Sequence, residues 1–595
     1  MLSRFREERA GPRATSKLGA VERTLATSGH AVALSGCMLA ATYLLLACFP
    51  NDFLRSVGVT CATVTAAAVI TNLSIVPCLL LSLDCFSHFD AYPSRASCCC
   101  RVPSQDPPRE PRATTQNRSF WCTWAATGPR ARWVVLAAFA IISGVFASFY
   151  ARLEPVDDLE IYMLQGSPSQ MGLFALAPFG PAALNPFRVN LDAGAPGAAL
   201  TPAYFAAEAD VIARLRNAGT QGGFVDASSF TALSYLNGAP VPLASAIAFL
   251  DAGSPAYATQ AGAEWRALAA SRMNADASAS SVGVATLVDP VSVSSAPFID
   301  AARATLAGAA LPAYLLGGYS FSLDSIRYIY ALAPAYVSSL AAIIVISIGA
   351  SFQSVGLIFR LIVTLGATLA LVFGLMTLVY APSSAQAAFG AVTPWLSKST
   401  GVAWLVPFAC LSILVGLGLD YDIYLMLSVR EFRCAGWSDR AAASLAVGRT
   451  AGVITTAGVI MTISFAGLLF PKILVVEQYG FALFVGVLID TFVMRPIIVP
   501  AILSVGPREK TWNWLPYRMP APELSEADEL SALAAGCDEP AQFRAQGPPA
   551  DAQAAAATAA LQLPQGVGVE AGKAVAAIVT VTPPAPAAAV AAAPV

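Results

Sequence analysis

Asp420, Tyr421 and Asp422 interrupt an otherwise apolar run, GLGLDYDIYLMLSV, at 416–429. Arg430 follows Asp420 by ten residues, about 15 Å along a helix. If Arg430 marks an interface, Asp420 lies near the middle of a hydrocarbon core about 30 Å thick. An ionised carboxylate at that depth costs at least about 2.5–3.5 kcal/mol. Asp420 is therefore expected to face the interior of a helical bundle. A carboxyl that can be charged or neutral there is suited to carrying a proton, and moving one charge across 100 mV is worth about 2.3 kcal/mol. The blander reading is a permanently protonated Asp that holds helices together. Gly416 and Tyr424 lie one turn to either side of Asp420, on the same helical face. Gly416 and Gly418 leave room for a neighbouring helix to approach. The Tyr421 hydroxyl is expected on the same broad side as Asp420. Asp422, about 200° further round, is expected to meet a different helix.

Asp490 and Arg495 fall in the last apolar stretch. Five residues on an α-helix is about 140°, so these two need not pair. Asp422 and Glu431 are alternative partners for Arg495, which precedes Pro496 and sits within snorkelling reach of an interface. Ser35 is polar in the first apolar stretch, although a lone Ser usually bonds back to its own helix. His30 and His88 form no metal-ligand set with the scattered Cys residues. No metal or cofactor is expected. The chain also lacks P-loop, GxSxG and HExxH motifs, so neither ATP drive nor those hydrolytic mechanisms are supported and no enzyme is expected.

Eight apolar stretches must position these groups. They lie near 31–50, 55–82, 132–151, 328–350, 355–380, 402–427, 448–470 and 477–502, each close to the roughly 20 residues that span a bilayer. The whole chain is 56% hydrophobic and 12% charged over 595 residues. That is too little charge to cover an ordinary soluble enzyme. The formal net charge of −2 excludes a basic nucleic-acid binder. The fold class expected is an α-helical polytopic membrane protein.

Lys and Arg set the expected orientation. They cluster before the first span, in the connection 83–131 and in the connection 428–447. The basic segment 1–30, the loop 83–131 and the tail 506–595 are accordingly placed in the cytosol, with the tail disordered from about 520. Trp512 and Trp514 read as interfacial anchors. Cys98, Cys99 and Cys100, beside Arg101, read as reduced loop thiols, with acylation as the alternative. The polar insert 152–326 then lies outside the cytosol. It carries 14 acidic and 7 basic residues, no Cys and no Asn-x-Ser/Thr site. It is long enough for a small domain that mixes α and β: 206–219 reads as helix and 282–293 as strand. The spans at 31–82 and 132–151 precede or flank it, and 327–505 reads as a five-span core.

Two stretches echo each other. LSRFRE near the start leads through TSGHAVALSG, Pro50 and Gly58 to VPCLLL at 76–81. LSVRE at 427–431 leads through TAGVITTAG, Pro471 and Gly480 to VPAIL at 499–503. Ser35 falls near the equivalent of Thr456. The second copy has upstream material, including GLGLDYD, that the first lacks. The expectation is a chain that starts part-way through a duplicated protein, a plan common in transporters.

GLGLDYDIYLMLSVREF at 416–432, TAGVITTAGVIMT and QYGFALFVGVLIDTFVMRPIIVPAIL at 478–503 resemble the C-terminal half of the MMPL family of the resistance–nodulation–division superfamily. LSRFREERAG and TSGHAVALSG extend the likeness, and FGPAALNPF at 179–187 with LTPAYF at 200–205 are similar to the start of the family's second extracytoplasmic domain. The resemblance implies an incomplete bundle with one α+β porter-like domain. It implies export of lipids or other hydrophobic molecules driven by the proton gradient. It implies a proton relay at Asp420 and Tyr421, a hydrogen bond from Ser35 to that relay, and charged positions at Asp490 and Arg495. Relative to the family pattern, the first four spans, the first porter domain and a second Asp-Tyr pair are absent, so inactivity of this chain alone is one expectation. Two other readings stand beside transport: a non-transporting lipid or sterol sensor that binds a ligand in 152–326, and a truncated gene model or inert scaffold.

Overall fold

The computed structural model describes residues 16–82, 120–153, 155–176, 187–225, 229–236, 238–352, 354–381, 401–434 and 437–505, with Phe5, Leu396 and Ser399. His88, Cys98 to Cys100, Trp512, Trp514, most of the 83–131 loop and the tail lie outside the described residues.

Helix α1 (Lys17–Thr24) runs through a π-turn at Leu25–Gly29 into α2 (His30–Leu46). Ser16 starts it by accepting a hydrogen bond from the Gly19 amide at 3.3 Å. Then come α3 (Asp52–Ser82) and α4 (Phe120–Tyr150), followed by the polar insert. The insert contains β1 (Pro155–Val156), α5 (Pro168–Leu176), β2 (Phe187–Asp192), α6 (Pro202–Gln221), β3 (Phe230–Thr231), β4 (Tyr235–Leu236), β5 (Ala239–Pro240), α7 (Leu243–Leu250), α8 (Gln260–Arg272), β6 (Ala279–Val284), α9 (Ala296–Leu306) and β7 (Ala313–Leu316). After it follow α10 (Ser320–Phe352), α11 (Val355–Tyr380), β8 (Val402–Ala403), α12 (Val406–Cys434), α13 (Asp439–Ala466) and α14 (Leu474–Ile489). The last helix continues through a π segment, Asp490–Ile498, into α15 (Val499–Leu503).

Among the described residues, seven helices are long and apolar enough to cross a membrane, and α2, with 17 residues, falls short alone. The molecule is mostly helical and has the make-up of a polytopic membrane protein. Several boundaries differ from the sequence expectation. The stretch at 402–427 begins as strand β8, which pairs parallel with β1, and helix starts only at Val406. The connection 428–447 is almost wholly helical, because α12 and α13 extend beyond their apolar cores. There Ser438 accepts a hydrogen bond from the Ala441 amide at 3.4 Å and fixes the start of α13.

Most of α12 is buried, whereas α3 leaves most side chains exposed and α13 is buried chiefly in its first half. A buried helix can be apolar all round, while peripheral ones turn one face to lipid. Helix α12 is therefore the hub, and α2, α11, α13 and α14 pack around it.

The two echoing stretches form hairpins with matching close approaches. In the first, Gly36 lies against Val69, and Gly58 against the backbone of Tyr43 and Ala47. In the second, Gly458 lies against Thr491, and Gly480 against Leu468. Gly36 to Gly458, Val69 to Thr491 and Gly58 to Gly480 are displaced by one common offset. A Cβ at these glycines would collide with the neighbouring helix, so the small residue sets the helix separation.

The insert folds around a four-stranded antiparallel sheet in the order β3-β6-β2-β7. Phe187, Val189 and Leu191 are buried while Arg188, Asn190 and Asp192 are not, the alternation of a strand with one covered face. Helices α6 and α9 form the covering layer through Val211, Ile212, Leu215, Phe298 and Ile299. Helix α6 covers the expected 206–219. The expected strand at 282–293 stops at Val284. Asp289 and Pro290 turn the chain there, with the Asp289 carboxylate accepting from the Val291 amide at 3.0 Å.

The insert is tied to the bundle at several points. The Gln165 amide donates to the Lys472 carbonyl at 2.7 Å, and the Trp404 indole to the Asp157 carboxylate at 3.0 Å. Arg303 in α9 pairs with Asp324 in α10 at 2.5 Å, and Arg327 in α10 pairs back with Asp300 in α9 at 2.6 Å.

Candidate functional site

The charged residues inside the bundle meet on three helices. Asp422 of α12 is 3% exposed and takes one arginine on each oxygen. Arg495 binds its Oδ1 at 2.7 Å, and Arg360 of α11 binds its Oδ2. Arg495 also reaches Asp490, Nη2 to Oδ1 at 3.1 Å, and donates to the Gly418 carbonyl. The missing Cβ at Gly418 matters here, because that position is already crowded by Leu365 and by the Arg495 guanidinium at 3.9 Å.

The pairing of Asp490 with Arg495 corrects the α-helical reading of these positions. The segment Asp490–Ile498 is a π-helix, in which hydrogen bonds run from i to i+5. The wider turn brings residues five apart onto nearly one face. Pro496 lies inside this segment, and a proline cannot donate the bond an α-helix would ask of it. Asp422, turned away from Asp420, meets α11 and the last span. Glu431 does not reach Arg495: it pairs with Arg449 at 2.7 Å.

Asp420 stands at the edge of this cluster and is partly buried. Ser35 of α2 and Arg495 of the last span lie near it. The Ser35 hydroxyl donates to the Val32 carbonyl at 3.4 Å, within its own helix. Gly416, one turn away, lets Leu39 and Thr42 of α2 approach α12. The Tyr421 hydroxyl does not turn to Asp420. It donates to the Met461 sulfur at 3.3 Å, because adjacent helical residues diverge by about 100°.

Two clefts flank the π segment. One, a narrow gap with a cavity volume of about 10 Å³, is lined by Thr368, Gly418, Tyr421, Gly486 and Asp490 among others. The other, also about 10 Å³, is lined by Thr450, Thr455, Thr491, Arg495 and Pro496 among others. Hydroxyls and charged groups thus border space on both sides of the Arg495–Asp490 pair. The two aspartates of the ion-pair network balance the two arginines. Asp420 is the fifth charge, and no ion pair is found for it among the described residues. The arrangement places two arginines between two aspartates, with a third carboxyl, Asp420, beside them.

Sequence reasoning missed Arg360. It lies six residues into α11 and is 2% exposed. A lone Arg near the start of a span reads as a flanking charge, and only its burial marks it as a partner for an intramembrane carboxylate.

Comparison with known proteins gives this geometry a family. A family model described as the MMPL family matches residues 1–122 and 335–522. The chain is 25% identical over 524 residues to the mycolic acid-containing lipids exporter MmpL11 of Mycolicibacterium smegmatis, a match covering 86% of this chain and 47% of that protein. It is 25% identical over 527 residues to the heme uptake protein MmpL11 of Mycobacterium tuberculosis, covering 88% and 48%. Over 120 residues it is 42% identical to the acyltrehalose exporter MmpL10 of the same organism, covering 20% and 12%. The chain spans about half the length of the MmpL11 relatives. Since the family model covers more than half of the sequence and includes the helices that carry Asp420, Asp422, Asp490 and Arg495, the chain belongs to the MMPL family of membrane proteins.

Proposed function

We infer that this chain is part of a proton-driven membrane transporter of lipid-like or otherwise hydrophobic molecules. In this reading Asp420 cycles between protonated and ionised forms, and Tyr421 and Ser35 flank the path. The observation that carries it is the buried charge cluster on α11, α12 and the last span. A chain with so few intramembrane charges keeps five of them within one site. Intramembrane ionisable groups of this kind mark ion and proton pathways. The relatives' names speak for hydrophobic cargo: two are lipid exporters and one takes up heme.

The charged cluster would couple to the insert through the ties at β1–β8 and Arg303–Asp324. The insert, 152–326, is read as a porter-like domain outside the cytosol, with the N-terminal segment, the 83–131 loop and the tail inside. The bilayer, the proton and the cargo are then the partners.

The test is proton-coupled transport of a fluorescent lipid analogue by the chain in liposomes, alone and with any longer form of the protein. Asp420→Asn should abolish it without loss of folded protein. Transport by that variant at the parent rate would overturn the reading. Ligand binding that ignores both pH and Asp420→Asn would instead favour a sensor.

A further inference from the structure

We propose that Arg360 is a positioning residue for the Asp420 carboxyl, acting through Asp422 and Arg495. The proposal rests on the proton-relay reading above and adds to it a role for the residue that α11 contributes. Arg360 and Arg495 share the Asp422 carboxylate, one on each oxygen. Arg360 is 2% exposed and Asp422 3%, so water does not screen the pair. The other guanidinium nitrogens of Arg360, Nε and Nη1, find no hydrogen-bond partner among the described residues. Asp422 is thus the group that holds Arg360 in place, and Arg360 in turn occupies half of Asp422.

That half-occupancy decides what Arg495 does. With only one Asp422 oxygen open to it, Arg495 directs its second amino group to Asp490 and the Gly418 carbonyl. The ion-pair network of Arg360, Arg495, Asp422 and Asp490 is neutral as a whole. Asp420 therefore ionises beside a balanced network. Removing the Arg360 charge would leave the network with a surplus negative charge before Asp420 ionises at all. Asp420 would then hold its proton to higher pH, because a like charge nearby disfavours the ionised form.

The other groups around Asp420 are Ser35 and Tyr43 of α2, with Cys61 of α3 beside Tyr43. Tyr421 adjoins Asp420 on α12, and its hydroxyl meets Met461 of α13. Arg495 faces it from the last span, where Asp490 adjoins Tyr421 and Arg495. On α14, Glu477 lies at the far end and accepts a hydrogen bond from Tyr380 at 3.1 Å. Arg360 is the arginine that α11 contributes to the network.

The experiment uses the full chain in phosphatidylcholine–phosphatidylglycerol liposomes. N,N′-dicyclohexylcarbodiimide, which modifies protonated carboxyls, is applied across a pH series, and modification of Asp420 is read by peptide mass spectrometry. Arg360→Gln should move the pH at which labelling halves upward by about one unit or more. Arg360→Lys, which keeps the charge, should stay near the parent. Arg360→Gln combined with Asp422→Asn restores neutrality and should return the midpoint towards the parent, which also guards against a single variant that fails to fold. An unmoved midpoint in Arg360→Gln overturns the proposal while leaving the relay standing. A double variant shifted as far as the single one also overturns it, because the effect would then be structural. Labelling of the parent that does not change with pH overturns the relay reading itself.

Discussion

Glu208 in the insert and Asp422 in the bundle are both nearly sealed from solvent, at 0% and 3% exposure. Their surroundings differ in kind. Glu208 is held by neutral donors: the Ser280 hydroxyl and the Ser234 amide, each at 2.7 Å. Burial pushes its carboxyl above the usual range, and those donors pull part of the way back. Tyr204 closes the same network through the Ser280 hydroxyl at 2.8 Å, its own phenol pushed up to about 12 by burial. Asp422 is held by two guanidinium groups on two other helices. A carboxyl among neutral donors can accept a proton and stay satisfied. A carboxylate shared by two arginines is engaged on both oxygens, and losing it strands two cations.

The largest effect should therefore come from Asp422→Ala. Breaking a buried pair by removing one partner costs about 3–5 kcal/mol, and here two arginines lose a partner at once. Thermal unfolding in detergent should show a drop of that order or no folded protein, and parent-like melting would erase the distinction between the two sites. Glu208→Ala removes the acceptor from the Ser234 amide and the Ser280 hydroxyl, worth about 1–3 kcal/mol. Hydrogen exchange in α6 and β6 should speed up accordingly while the bundle stays protected.

Glu208→Gln sharpens the comparison through pH. In the parent, the folded insert binds the Glu208 proton more tightly than the unfolded chain does. That contribution is fully present below the ordinary carboxyl range, about pH 4.3, and is lost as pH rises from there through the raised value. The Gln variant should show a flatter pH dependence of insert stability over that window, and an unchanged slope would assign the dependence to another group. The smallest effect belongs to Arg303→Ala. Its bond to Asp324 is short, but both side chains are partly exposed, so about 0–1 kcal/mol is expected. A larger loss in the melting of the insert would show that this pair carries more than a surface ion pair does.

Apolar length and the placement of charge made the helical bundle legible. The stretch at 355–380 coincides with α11, and the polar insert announced itself by its acidic residues. The separate direction of Asp422 also followed from helical geometry. Three things did not. Arg360 was hidden because a single Arg near a span end has the same pattern whether it snorkels or is buried. The Asp490–Arg495 pair was hidden because reasoning by a fixed 100° step has no place for a π segment. Tyr421 was assigned to the wrong side because one step of that size separates a residue from its neighbour more than the breadth of a face suggests. At 402–405 hydropathy was satisfied equally by strand and helix, and the pairing of β8 with β1 decided between them.

The wide turns at Asp490–Ile498 also bear on how this chain tolerates change. A point substitution there alters one side chain. A deletion or insertion of a single residue would turn everything beyond it about the helix axis by one residue's step, sending Arg495 away from both aspartates without touching its charge. The number of residues between Asp490 and Pro496 is thus as much a part of the ionic address as the residues themselves. Length polymorphism in that short interval should be far less tolerated than substitution of the lipid-facing side chains of α3.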